Sequence, residues 1–218
     1  AGLPRGQWEA LVSQLESAPS TPEGRRALGR EVVAALPLLE PRWAADLVAR
    51  VHAAEPLRDG GLLDELAGSL STMVPKFRSA HLAILTSVLA SWACAQGESD
   101  VCARRRGLSD EVRTFFVAAS SEVTLRLMDV SPGDLSKITM AFASVGLGGA
   151  KLFASVARAA VARSDRFAPR DLVSLVGAFE RARVFHTALF EALARSLRAA
   201  VAEASAQDVV RAVRSLAA

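Results

Sequence analysis

The last third of the chain repeats itself every 37 residues. Ser131-Pro132-Gly133-Asp134-Leu135 returns as Ala168-Pro169-Arg170-Asp171-Leu172 and again as Ser205-Ala206-Gln207-Asp208-Val209. Phe142, Phe179 and Leu216 keep that spacing, and so do Leu152-Phe153 and Leu189-Phe190. Stacked helix pairs leave this mark, because one pair cannot bury both of its apolar stripes and needs neighbours on either side. The expected fold class is therefore all-α: an α-solenoid of stacked helix-turn-helix repeats of 37 residues, forming a single domain over residues 1–218. Ala, Leu and Arg are abundant and lose little on entering a helix, which agrees with that class.

The period can be followed upstream. Phe116, Phe153 and Phe190 mark one column of the second helices, and Leu63 fits the same column. Leu82, Leu135, Leu172 and Val209 mark a column of the first helices, as do Leu89, Phe142, Phe179 and Leu216. The gap from Leu82 to Leu135 is 53 residues, 16 more than the period. The excess falls at 96–107, a polar, Gly-bounded segment expected to be a loop inserted between the helices of one unit. The repeats are expected near 6–40, 41–76, 77–129 (with that loop), 130–166, 167–203 and, in part, 204–218. Upstream, Gln7 to Ser17, Arg25 to Leu39 and a helix opening at Asp46-Leu47 supply the earlier helices. Val209, Val213 and Leu216 have no second helix to cover them, so the natural chain is expected to continue beyond Ala218, the alternative being that another subunit covers this end.

Constellations for catalysis are scarce. His52, His81 and His186 are isolated from metal-type spacings, and Cys94 and Cys102 make neither a disulfide framework nor a metal motif. Gly146-Leu147-Gly148-Gly149 falls between two helices of one unit and reads as a turn. Asp134, Asp171 and Asp208 stand in the first turn of successive helices, where a carboxylate favours the exposed N–H groups. The expectation is a non-enzyme with no cofactor and no metal. Ser79 to Gly97 carries no Asp, Glu, Lys or Arg, but its register with the other repeats makes it a buried helix, with no membrane partner. Trp8, Trp43, Trp92 and the five repeat phenylalanines are expected in the core.

The charge is uneven. Residues 130–218 hold 12 Lys/Arg against 7 Asp/Glu, while residues 1–129 hold 14 against 16. A basic half suits a polyanion. Some cations obey the period: Lys137 and Arg211 in the first helices, with Ser174 between them, and Arg158 with Arg195 and Arg126 with Arg163 in the second. Columns become rows on a stacked surface, and a row of cations can track a phosphate backbone. Arg104, Arg105 and Arg106 in the inserted loop are a further phosphate-reaching group. These nine residues are the candidate RNA-binding set, with the first-helix column preferred because first helices usually line the inner surface of such superhelices.

The pattern Val130, Asp134, Leu135, Ala141, Phe142, Leu152, Phe153, then Phe167, Asp171, Leu172, Ala178, Phe179, Leu189, Phe190, resembles the heptatricopeptide and octotricopeptide repeats of RAP-domain and related organellar proteins of protists and algae. The match is clear over 130–218 and looser over 77–129, and no RAP domain lies within these residues. The resemblance implies an α-solenoid acting on RNA in a mitochondrion, or alternatively a plastid. It implies a structural subunit of a mitochondrial ribosome contacting rRNA beside neighbouring protein subunits. The alternatives are a transcript processing or stability factor and a protein–protein scaffold in an organellar complex.

Overall fold

A computed structural model describes residues 4–17, 19–54, 57, 60–96, 107–200 and 210. Among them the structure is all-α. Its α-helices are α1 (Arg5–Glu16), α2 (Pro22–Ala35), α3 (Pro41–Ala53), α4 (Gly60–Ser71), α5 (Ser79–Gln96), α6 (Asp110–Leu125), α7 (Pro132–Val145), α8 (Gly149–Val161), α9 (Pro169–Arg181) and α10 (Thr187–Ala200).

Local chemistry sets the starts. Proline opens α2, α3, α7 and α9, where its missing N–H costs nothing and its fixed φ suits the helix. The Ser131 hydroxyl accepts the Asp134 N–H at 3.1 Å and donates to the Asp134 carboxylate at 2.8 Å, so both caps expected of this sequence are present in α7. At α5 the Asp column holds His81, whose Nδ1 accepts the Arg78 N–H at 3.4 Å. Proline sets a boundary too. The helix expected from Arg25 to Leu39 ends at Ala35 and tightens to a 3-10 turn at Leu36–Leu38, because Pro37 cannot supply the next backbone donor. In the same way α3 begins at Pro41, upstream of the expected Asp46, with Glu40 extended before it.

The odd-numbered helices contact one another in chain order: α1 with α3, α3 with α5, α5 with α7 and α7 with α9. The even-numbered helices do the same from α2 through α10. Two helical layers result, with one continuous apolar core between them running from Leu11 to Leu189. The helix α5 shows why a charge-free stretch belongs here. Leu82, Leu85, Leu89 and Trp92 form one buried stripe along it, Ala83, Ala90 and Ala93 are buried beside them, and the buried Thr86 hydroxyl is satisfied by the Leu82 carbonyl at 2.7 Å. No helix among the described residues is long and apolar enough to cross a membrane.

Some residues one period apart make the same contacts. Phe116 of α6 meets Phe142 of α7 edge-on at 5.1 Å and 87°, and Phe153 of α8 meets Phe179 of α9 at 5.2 Å and 88°. T-shaped pairs of this kind add to simple burial through the ring quadrupoles. Turns recur as well. The Leu147 N–H donates to the Phe142 carbonyl at 3.0 Å, and 37 residues on the Val184 N–H donates to the Phe179 carbonyl at 3.0 Å.

Not every aromatic expected in the core is there. Trp92 is fully buried, but Trp43 is exposed, tilted against Trp8 at 5.2 Å with the Arg42 guanidinium 4.3 Å above its ring. Phe190 is half-buried, stacked on Phe185.

Candidate nucleic-acid interface

The face of the odd-numbered layer over α5, α7 and α9 forms an open groove of about 800 Å³. The helices that build it are crowded on their inner sides by Leu135, Ile138, Phe142, Leu172 and Phe179, so their remaining faces turn outward together. Those faces carry small side chains. Ser87, Ala90, Ser91, Ser136, Ala141, Ser144 and Ser174 line the groove, and Gly133 brings the start of α7 close to Asp171 of α9. A Cβ at Gly133 would sit 3.4 Å from the Asp171 carboxylate.

Three cations border this floor: Lys137 of α7, and Arg170 and Arg181 of α9. The groove's one acid is Asp171, whose carboxylate lies 3.9 Å from the exposed Arg170 Nε, a loose pair that solvent weakens. Arg181 Nη1 donates to the Ser144 hydroxyl at 3.3 Å across the joint between neighbouring helices. Cys94, at the far end, donates to the Ser144 carbonyl at 3.7 Å. The groove thus offers positive charge on α7 and near both ends of α9, with hydroxyl groups from all three helices beside it. Arrays of this kind suit an extended anionic chain, since the cations answer phosphates and the hydroxyls donate or accept at need.

Of the five described cations among the nine singled out by sequence, Lys137 alone lines this groove. Arg158 and Arg195 are exposed on α8 and α10, in the even-numbered layer, and Arg158 reaches only the Ser155 hydroxyl at 3.2 Å. Arg104, Arg105, Arg106 and Arg211 lie outside the described residues.

Arg126 and Arg163 are a correction. Both hold the chain where one helix pair joins the next, Arg163 buried and Arg126 partly exposed. Arg163, 7% exposed, donates to the carbonyls of Val130, Met128 and Leu127 at 2.9, 3.0 and 3.1 Å and from Nε to Ala159 at 3.3 Å. Arg126 donates to the Phe77 and Pro75 carbonyls at 2.7 and 2.9 Å and pairs with Glu122. Phe77 and Val130 open successive units, so the two arginines perform the same task 37 residues apart. Their donors close the turns after the preceding helices, where carbonyls would otherwise lack partners. They are clamps of the fold in place of surface cations.

Sequence reasoning passed over Arg170 and Arg181. Neither has a cation one period away: Gly133 and Ser144 stand at the preceding positions. A search for repeating charge misses two cations that share one face of a single helix against a neighbour's small residues. Their common signal was the 11-residue spacing, three helical turns along one face of α9.

No group of three or more His, Cys, Asp or Glu among the described residues could hold a metal ion. Fold and groove together define an all-α, two-layered protein with a cation-edged channel on one layer. The chain belongs to the RNA-editing substrate-binding complex 6 protein family, whose model matches residues 62–218 and so contains the whole groove. This is a different family from the heptatricopeptide and octotricopeptide repeats that the sequence pattern resembles. No curated protein matches the chain.

Proposed function

We propose that this protein is a non-catalytic, RNA-binding α-solenoid that serves as a subunit of an organellar RNA-editing substrate-binding complex. One observation carries the reading: Lys137, Arg170 and Arg181 edge a hydroxyl-lined groove that crosses three consecutive helices of one layer. The family's name supplies the editing complex. Contact with ribosomal RNA, expected from the repeat resemblance, gives way to contact with RNA that is being edited, because nothing in that name concerns a ribosome. The mitochondrion is the compartment this reading takes.

Recognition on this reading is of the backbone. Phosphates meet the three cations, and the hydroxyls face sugars, so base sequence matters little. Charge reversal of Lys137, Arg170 and Arg181 together is expected to abolish binding of single-stranded RNA, measured by anisotropy. The same change at Arg158 and Arg195 is expected to leave most of it. Equal losses from both variants would refute the groove.

A second reading, a protein-binding scaffold, has its own observation. Val117, Leu125 and Met128 are 65%, 79% and 63% exposed on and just after α6, in the layer opposite the groove. Apolar side chains grouped on one outer face suit a neighbouring subunit. The two readings are compatible, because they use different layers.

A further inference from the structure

The turn between α9 and α10 copies the turn between α7 and α8 in backbone but not in chemistry. Gly146 has φ 71, and its counterpart Arg183 has φ 54, the one non-glycine with positive φ among the described residues. The Gly146 N–H donates to the Ala143 carbonyl at 3.2 Å and the Arg183 N–H to the Glu180 carbonyl at 2.9 Å. Where the first turn has Gly146 and Gly148, the second carries a cation, Arg183, and an aromatic ring, Phe185. Left-handed backbone is costly for a side-chain-bearing residue, and such cost is concentrated where it serves a site.

Phe185 is 79% exposed. It does not hang free. One face is stacked on Phe190, centroids 5.1 Å apart and planes 15° from parallel. The chain is tied on both sides of it. The Val184 N–H is held by the Phe179 carbonyl, and the His186 carbonyl accepts the N–H groups of Leu189 and Phe190 at 3.0 and 3.1 Å. The His186 Nδ1 also accepts from Leu189 N–H at 3.3 Å. The ring is therefore presented with one face against Phe190 and most of its surface in water. Arg181, at the groove's edge, is four residues away, so the Cα atoms of Phe185 and Arg181 lie within about 14 Å of each other. Arg183 stands between them.

We propose that Phe185 is a stacking platform for one base of a single-stranded RNA whose phosphates lie in the groove. The proposal rests on the groove being an RNA track. An exposed aromatic ring two and four residues along the chain from arginines matches what unpaired nucleic acid needs: cations for the backbone and a flat apolar surface for the base. Because every base has a π-face, this platform tolerates sequence. Phe190 holds the ring in place, so little ordering is required when the base arrives.

The test uses the full 218-residue chain and two fluorescent oligonucleotides of equal length, one oligouridine and one with abasic sugars throughout. The wild type is expected to bind oligouridine about five- to a hundredfold more tightly than the abasic chain. Phe185→Ala should erase that preference and keep abasic affinity, and Phe185→Trp should restore it. A preference unchanged in Phe185→Ala would overturn the platform and leave the groove standing. Failure of the wild type to bind either oligonucleotide would overturn both.

Discussion

Arg163 does the work of a cap with a side chain from the next unit. Its guanidinium fork reaches three carbonyls within four residues, which a single ammonium cannot do. In the second unit the corresponding position is Met73, also buried, so volume alone suffices there. Arg163→Ala is expected to destabilise by about 2–4 kcal/mol, from stranded carbonyls and an unfilled space. Arg163→Met should recover part of that loss by filling the space. Urea denaturation checks both, and identical midpoints for wild type and Arg163→Ala would show that the clamp is idle. Arg183 predicts the opposite sign. Arg183→Gly should stabilise by about 0.5–1 kcal/mol, since relief of the left-handed strain exceeds the extra freedom glycine gives the unfolded chain. An unchanged or lower melting temperature would contradict it. The charged residues also mark where sequence reading stopped. A period of 37 says that Arg126 and Arg163 recur, but not toward which side they point. Direction depends on a helix's rotation against its neighbours, which the spacing alone does not encode.

At the scale of elements, far more was legible. Phe116, Phe142, Phe153 and Phe179, the proline starts, the Ser131 and Asp134 cap and the Gly146 turn all follow from local rules, and each stands where those rules put it. The misplaced starts and ends were those where proline acts, at Pro37 and Pro41. Phe190 was read as core because its column is core in two earlier units; in the structure it is half-buried against the edge of the core and also supports Phe185. The Phe153–Phe179 contact gives a direct test of the stacking between units. Phe179→Ala should cost on the order of 3–5 kcal/mol, and a double-mutant cycle with Phe153→Ala should give coupling of about 0.5–1.5 kcal/mol. Additive effects would mean that the rings do not meet. The start of α5 carries a pH dependence. Burial, and secondarily the Arg78 charge, hold the His81 pKa below its usual value. The unfolded chain therefore takes up the proton first. The stability contribution is whole above the unfolded pKa and is lost as pH falls through the folded one, because a protonated Nδ1 can no longer accept the Arg78 N–H. The melting temperature is expected to drop between pH 7.5 and pH 5. His81→Asp, which restores the residue found at this position in α7 and α9, should flatten that drop across the histidine range.

At the scale of the molecule, two layers divide the labour. The odd-numbered helices carry the cation-edged groove, and the even-numbered ones carry Arg158, Arg195 and the apolar surface near Leu125. The sequence told which half was basic, but could not tell which cations would share a face, because Arg170 and Arg181 meet Lys137 only through the packing of α7 on α9. The claim that this packing makes a phosphate track has a thermodynamic signature. Each phosphate neutralised on a single strand steepens the fall of log K with log salt by about 0.7. Titrating salt against single-stranded RNA, for the wild type and for a variant with Lys137, Arg170 and Arg181 all changed to Gln, measures the three contacts directly. The variant's slope is expected to be shallower by about 2; equal slopes for the two proteins would contradict the account.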